Sequence, residues 1–151
     1  MTSGQETSLD LPEVLGFLWL QAGLNAPSSA ELVAQFRQLS PAALAYLGDA
    51  VYELYVRSRY LLPPKRIQLY HNQVVAQVRA EAQAQHLQKL QPHLTPEEQA
   101  ILKQGRNAAK RTKRVDPELY QQATSLETLL GYLYITDPQR LADLLSQLPL
   151  E

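Results

Sequence analysis

Four times in this chain a short polar residue stands directly before a proline: Ser40-Pro41, Thr95-Pro96, Asp116-Pro117 and Asp137-Pro138. The polar oxygen of such a pair can accept a backbone N–H of the first helical turn. The proline sits where no N–H is needed, with its φ already set for a helix. Each pair therefore predicts a helix start. After Ser40, residues Leu44, Leu47, Ala50, Val51, Leu54 and Tyr55 recur at helical spacing, and Leu61-Leu62-Pro63-Pro64 ends the run, which predicts a helix over about 41–60. Thr95 has Glu98 three residues on, a capping box, and that helix is expected to run through Ile101 and Leu102 and to fray near Gly105. Residues 118–135 carry Leu126, Leu129, Leu130 and Leu133 as a buried stripe, and Asp137 caps a last helix over about 138–147. Between the first two starts, residues 67–90 hold neither Gly nor Pro and read as one long helix closed by Pro92. No segment alternates with the period of a strand. The chain reads as all-α, with five or six helices and no internal repeat.

The first 38 residues differ in texture. Residues 1–8 are polar and expected to be unstructured, 9–22 read as a short helix with Leu15, Leu18 and Trp19 on one side, and GLNAPSS at 23–29 is a linker by composition. Ser28 and Glu31 match a capping box for a helix through Gln38. The expected organisation is an N-terminal extension over 1–38, with one or two short helices, followed by a single domain over 39–151. With 151 residues the chain can bury a real core. No apolar run approaches the roughly 18 residues of a membrane span. Cysteine is absent, which excludes disulfides, thiolate metal sites and a cysteine nucleophile. The opening residues lack the pattern of a secretory signal, so a cytoplasmic location is expected.

A net charge of −1 hides an asymmetry. Residues 103–114, KQGRNAAKRTKR, hold six of the fourteen basic side chains and no acid. A cationic cluster on an otherwise acidic chain points to a polyanion, although it can also be a solvated face.

Two acids stand out because their surroundings are apolar. Asp49 lies within LAYLGDAVYELYV, directly after Gly48, where a helix-interior glycine costs about 1 kcal/mol against alanine. That pairing suggests a close approach to the backbone; tight helix packing or a solvated acid explains it equally. Glu53, one turn on, can share the Asp49 face or pair with Arg57. Glu127 lies within ATSLETLLGYLYI. Two such carboxylates could meet at a divalent cation, for which hard oxygen ligands suit Mg²⁺. Read alone, Glu127 is more simply an acid near a helix N-terminus, where it is favoured. His71, His86 and His93 have no metal-ligand spacing and read as surface or hydrogen-bonded residues.

Taken in order, these residues resemble the ribonuclease III superfamily. LAYLGDAVYELYV resembles its signature helix, and SLETLLGYLY its second acidic motif. The order LAY-x-GDA, then GRNA with basic residues, then a glutamate before LLGYLY is most similar to Mini-ribonuclease III, the subfamily with the catalytic domain and no double-stranded RNA-binding domain. The resemblance covers about Leu39 to Leu148. It implies an all-helical, homodimeric endonuclease domain that cuts double-stranded RNA with Mg²⁺, or Mn²⁺ in its place, leaving 5′-phosphate and 3′-hydroxyl ends. It assigns metal binding and catalysis to Asp49 and Glu127, and it implies a role in 23S ribosomal RNA precursor maturation. Glu53 and Thr124 are candidates to surround that site. Arg106, Asn107, Lys110, Arg111, Lys113 and Arg114 are the candidate RNA contacts. Two acids of the larger ribonuclease III enzymes are replaced here, by Ala45 and Thr124. The apolar residues Leu44, Leu47, Val51 and Leu54, with Tyr46 and Tyr55, exceed what one helix face needs, and part of this surface is expected to bury against a second copy. Two other functions compete with this reading: a catalytically inert RNA-binding scaffold, and a helical protein-interaction domain whose basic segment meets an acidic partner.

Overall fold

A computed structural model describes residues 30–109, 116–148 and 150. Within them the chain forms seven α-helices: α1 (Ala30–Phe36), α2 (Pro41–Tyr60), α3 (Ile67–Val78), α4 (Ala80–Leu90), α5 (Pro96–Ala108), α6 (Pro117–Thr136) and α7 (Pro138–Ser146). A 3₁₀ turn, Gln91–His93, joins α4 to α5. Among the described residues there is no strand, so the all-α reading holds. The expected helix at 9–22 and the Ser28 cap lie outside the described residues.

All four polar-proline pairs cap helices. Ser40 Oγ accepts from the Ala43 N–H at 3.1 Å, Asp116 Oδ1 from Leu119 at 3.2 Å and Asp137 Oδ1 from Arg140 at 3.1 Å. Thr95 and Glu98 form the reciprocal capping box, at 3.1 and 2.9 Å.

Two boundaries differ from expectation. Residues 67–90 are two helices, because Arg79 is extended (φ −67°, ψ 157°) and separates α3 from α4. The break strands the last carbonyls of α3, and side chains from elsewhere capture them. The Tyr52 hydroxyl donates to Gln77 O at 2.8 Å, and Gln83 Nε2 donates to Val78 O at 2.8 Å. An exposed helix cannot afford such a break, whereas one with buried donors in place can. The second difference is Gly105, which does not fray: α5 continues to Ala108 and Gly105 is buried. A Cβ there would press into the Thr128 side chain, 2.8 Å from its Cβ, so this glycine lets α5 lie against α6.

The core centres on α6, which packs most extensively on α2 and then on α5 and α4. Val51, Tyr52 and Val56 of α2 meet Leu126, Leu129, Leu130 and Leu133 of α6, with Leu90, Leu102, Leu141, Leu144 and Leu145 closing around them. Burying each such leucine stabilises the fold by roughly 1.5–3 kcal/mol. The expected Leu stripe of α6 is thus its core face. The outer surface is less tidy. Helix α3 buries only Val74, leaving Ile67, Leu69 and Val75 exposed, while Tyr46 (86%) and Leu54 (37%) project from α2. Leu44 and Val51, counted above toward a surplus for a second copy, are spent in the chain's own core. Among the described residues no helix is long and apolar enough to cross a membrane.

Candidate active site

The site is built where α2 crosses α6. A Cβ on Gly48 would land on the Glu127 carbonyl oxygen and lie 2.8 Å from the Gly131 nitrogen. A Cβ on Gly131 would land on the Leu44 carbonyl oxygen and lie 3.1 Å from the Gly48 nitrogen. Neither glycine has a positive φ, so the constraint is space and not conformation. Two facing glycines let the helix backbones touch. The residue after Gly48 is Asp49, and the backbone it touches is that of Glu127. Close packing and the acidic residues are therefore one feature, and Gly131, which the sequence reading passed over, is half of it.

Asp49 lies on the outward face of α2, whereas Glu127 is half-buried in the middle of α6. The alternative reading of Glu127 as a first-turn acid falls, because it stands ten residues into the helix. Its carboxyl is pushed up to about 7, first by burial and then by the Asp49 charge, with a hydrogen bond from the Gln83 side chain pulling the other way. The Asp49 carboxyl is also raised, first by burial and then by the charge of Glu53. Among the described residues no basic side chain acts on either. Two hard carboxylates with no counter-charge among the described residues are a donor set that suits Mg²⁺, which keeps several waters and needs few protein ligands. The site is sparse: among the described residues no group of three His, Cys, Asp or Glu side chains converges.

The other candidates separate. Glu53 does both things foreseen for it: it forms an ion pair with Arg57 and acts electrostatically on Asp49. Thr124 engages through its backbone, its carbonyl accepting the Thr128 hydroxyl at 2.7 Å. Arg106, in the last turn of α5, is held by Glu118, with Nη2 2.9 and 3.0 Å from the two carboxylate oxygens. Asn107 is exposed beside it. Lys110, Arg111, Lys113 and Arg114 lie outside the described residues.

Beneath the acidic pair lies a polar layer that sequence reasoning missed. The Tyr52 hydroxyl spends its one proton on Gln77 O, so its short contact with His86 must be donated by His86 Nδ1–H. Burial lowers the His86 pKa, keeping the ring neutral, and burial raises that of Tyr52, with Tyr60 and then Glu127 adding to it. Gln83 belongs to the same layer, only 3% exposed. In a helix rich in glutamine, nothing in its spacing marks it; only its neighbours do.

Comparison with known proteins bears on the family and the fold. Residues 42–138 match the Ribonuclease III domain family. A Mini-ribonuclease 3 of Synechocystis sp. is 58% identical over 134 residues, covering 88% of this chain and 90% of that one. Another, of Synechococcus sp., is 60% identical over 117 residues, covering 77% and 85%. The crystal structure of a Fusobacterium nucleatum protein superposes with a TM-score of 0.67 at 29% identity, covering 73% of this chain and 92% of that one.

Proposed function

We propose that this chain, which belongs to the ribonuclease III domain family and within it to the Mini-ribonuclease 3 proteins, is an endoribonuclease that hydrolyses double-stranded RNA with a divalent cation held by Asp49 and Glu127. The observation that carries the reading is the pair itself. Two carboxylates, both raised and neither countered by a basic side chain among the described residues, meet where α2 and α6 touch.

Mg²⁺ is the proposed ion, with Mn²⁺ able to replace it. Bound there, such a cation lowers the pKa of attacking water and offsets charge that builds on the phosphate in the transition state. The protein's own groups supply placement. Asp49, outward on α2, is the carboxylate an RNA backbone meets first. Glu127, recessed, stays clear of the duplex and is held from below by Gln83. The oxygen of water bonds to phosphorus, the bond to the 3′ oxygen breaks, and the products carry a 5′-phosphate and a 3′-hydroxyl. No side chain needs to form a covalent intermediate, which suits a chain without cysteine.

Each chain provides one acidic pair, so cutting both strands of a duplex calls for two copies related by a two-fold axis. The exposed Tyr46 and Leu54 of α2, with Ile67, Leu69 and Val75 of α3, form the proposed dimer face. The catalytic unit in this reading is 39–151, with 1–38 as an extension. RNA contacts are assigned to Arg106, Asn107, Lys110, Arg111, Lys113 and Arg114, which suits a duplex read through its phosphates and 2′-hydroxyls. Arg106 must exchange Glu118 for phosphate to take part. A 23S ribosomal RNA precursor is the proposed natural substrate, with action in the cytoplasm.

The test is cleavage of duplex RNA with and without Mg²⁺ by the protein and its Asp49→Asn variant. Mg²⁺-dependent cutting that the variant lacks supports the reading. Duplex binding without cutting by the unsubstituted protein would favour the inert scaffold instead.

A further inference from the structure

Gln83 is a buried side chain anchored at one end and unpartnered at the other. Nε2 donates to Val78 O at 2.8 Å, and the same side chain acts on the Glu127 carboxyl, lowering it against burial. The Val78 carbonyl can only accept, so the amide nitrogen and not its oxygen must face it. The amide cannot be turned over, because that would set its oxygen against the Val78 carbonyl. Oε1 finds no donor among the described residues although it is buried. A buried acceptor without a donor is costly and calls for an explanation. This one belongs to a residue that is 3% exposed and acts on the recessed acid of the pair.

We propose that Gln83 is the positioning residue of the acidic pair: its amide, locked by the Val78 carbonyl, fixes the Glu127 carboxylate toward Asp49, and its Oε1 accepts a hydrogen bond from water that accompanies the bound cation. The break at Arg79 is part of this device. An unbroken helix over 67–90 would occupy the Val78 carbonyl with its own N–H and leave Gln83 no anchor. Residues that hold a metal-binding side chain in place are a recurrent requirement of metal sites, and losing one typically weakens metal affinity by 10–100-fold.

The inference rests on Asp49 and Glu127 as the cation site, and its test separates the two claims. Mn²⁺ binding is followed by electron paramagnetic resonance on the RNA-free full chain, for the unsubstituted protein, Asp49→Asn, Gln83→Leu and Gln83→Met. Leucine and methionine keep a helical, buried side chain and remove every hydrogen bond, and two variants guard against a misfolded one. Circular dichroism establishes that each is folded. Mn²⁺ affinity is expected to fall at least tenfold in both Gln83 variants. The Mg²⁺ concentration for half-maximal cleavage is expected to rise in proportion, with duplex affinity in Ca²⁺ unchanged. Mn²⁺ binding that Asp49→Asn abolishes and the folded Gln83 variants retain would overturn the Gln83 role alone. Mn²⁺ binding that Asp49→Asn leaves intact would overturn the acidic pair as the cation site, and Gln83 with it.

Discussion

Glu98 and Glu127 are both glutamates drawn in from solvent, and their carboxyls move in opposite directions. Glu98 is 4% exposed, and Arg140 reaches it twice, Nε to Oε2 and Nη2 to Oε1, each at 2.9 Å. That guanidinium, ahead of the cost of burial, holds the Glu98 carboxyl below the ordinary carboxylate range, and Arg140 also ties down His93 O at 2.7 Å. Glu127 meets burial, the Asp49 charge and one amide, and its carboxyl rises to about 7. A recessed acid that carries its own cation is part of the scaffold. One that faces another acid instead raises the free energy of the fold, a cost that a bound cation would offset. The pair at α5 and α7 is complete within the chain; the pair at α2 and α6 has no counter-charge among the described residues, and in the proposed reading a cation completes it.

The sharpest separation is in activity. Asp49→Asn and Glu127→Gln keep shape and remove charge, so each should lower Mg²⁺-dependent cleavage by orders of magnitude. Neither should weaken the fold; relief of like-charge repulsion should raise the melting temperature measured in EDTA. Near-normal turnover in either variant would remove that residue from the cation site.

The scaffold pair should behave in reverse. Arg140→Met leaves Glu98 buried without its partner, a change that costs about 3–5 kcal/mol. Urea unfolding should register that loss, while cleavage per folded molecule stays near normal below the transition. A stability change within about 0.5 kcal/mol would mean that Glu98 is solvated after all.

The two acids should also give pH dependences of opposite sign. Glu98 is depressed, so its contribution is present above the unfolded value of about 4.5 and is lost as pH falls through its lower folded value. Glu127 is raised. Between about 4.5 and 7 the folded state holds a proton that the unfolded state has released, so stability falls as pH rises through that window. Because the lowered His86 pKa gives a slope of the opposite sign below about 6.5, the Glu127 contribution is read by difference: in EDTA the melting temperature should fall relative to that of Glu127→Gln from pH 5 to 7. Saturating Mg²⁺ should flatten that relative fall, since a cation takes the place of the proton. A difference between the two proteins in EDTA that stays constant or grows in favour of the unsubstituted chain across the same window would contradict the opposition drawn here.

How far these regions were legible beforehand follows from the range of the forces involved. The helix starts at Pro41, Pro96, Pro117 and Pro138 are settled by a cap and a ring within four residues, and the sequence shows them directly. Asp49 and Glu127 were visible because each stands as an acid among apolar neighbours, which is costly without a reason. The break at Arg79 was not, because its cause is Tyr52 from α2 and Gln83 from the next helix. Gly105 read as a weak helix end, since nothing local reveals Thr128 lying across it. Glu98 was seen as a capping-box residue, and only the fold brings Arg140 to it from 42 positions away.

The smallest effect tests where the functional region ends. Glu53 lies on the Asp49 side of α2 and raises the Asp49 carboxyl, yet it is also engaged by Arg57. As a ligand it would be as indispensable as Asp49. As a neighbouring charge, partly neutralised by an exposed arginine, it should act weakly, because solvent screens such pairs to about 1 kcal/mol or less. Two substitutions of opposite sign decide between these roles. Glu53→Gln removes a negative charge near the pair and should raise the half-saturating Mg²⁺ concentration by about two- to threefold. Arg57→Gln frees the Glu53 charge and should lower it by a similar factor. Both shifts should shrink at high salt, where the Debye length falls to about 3 Å at 1 M. Abolished cleavage in Glu53→Gln, with Arg57→Gln unaffected, would make Glu53 a third member of the cation site and extend the uncompensated region by one turn of α2.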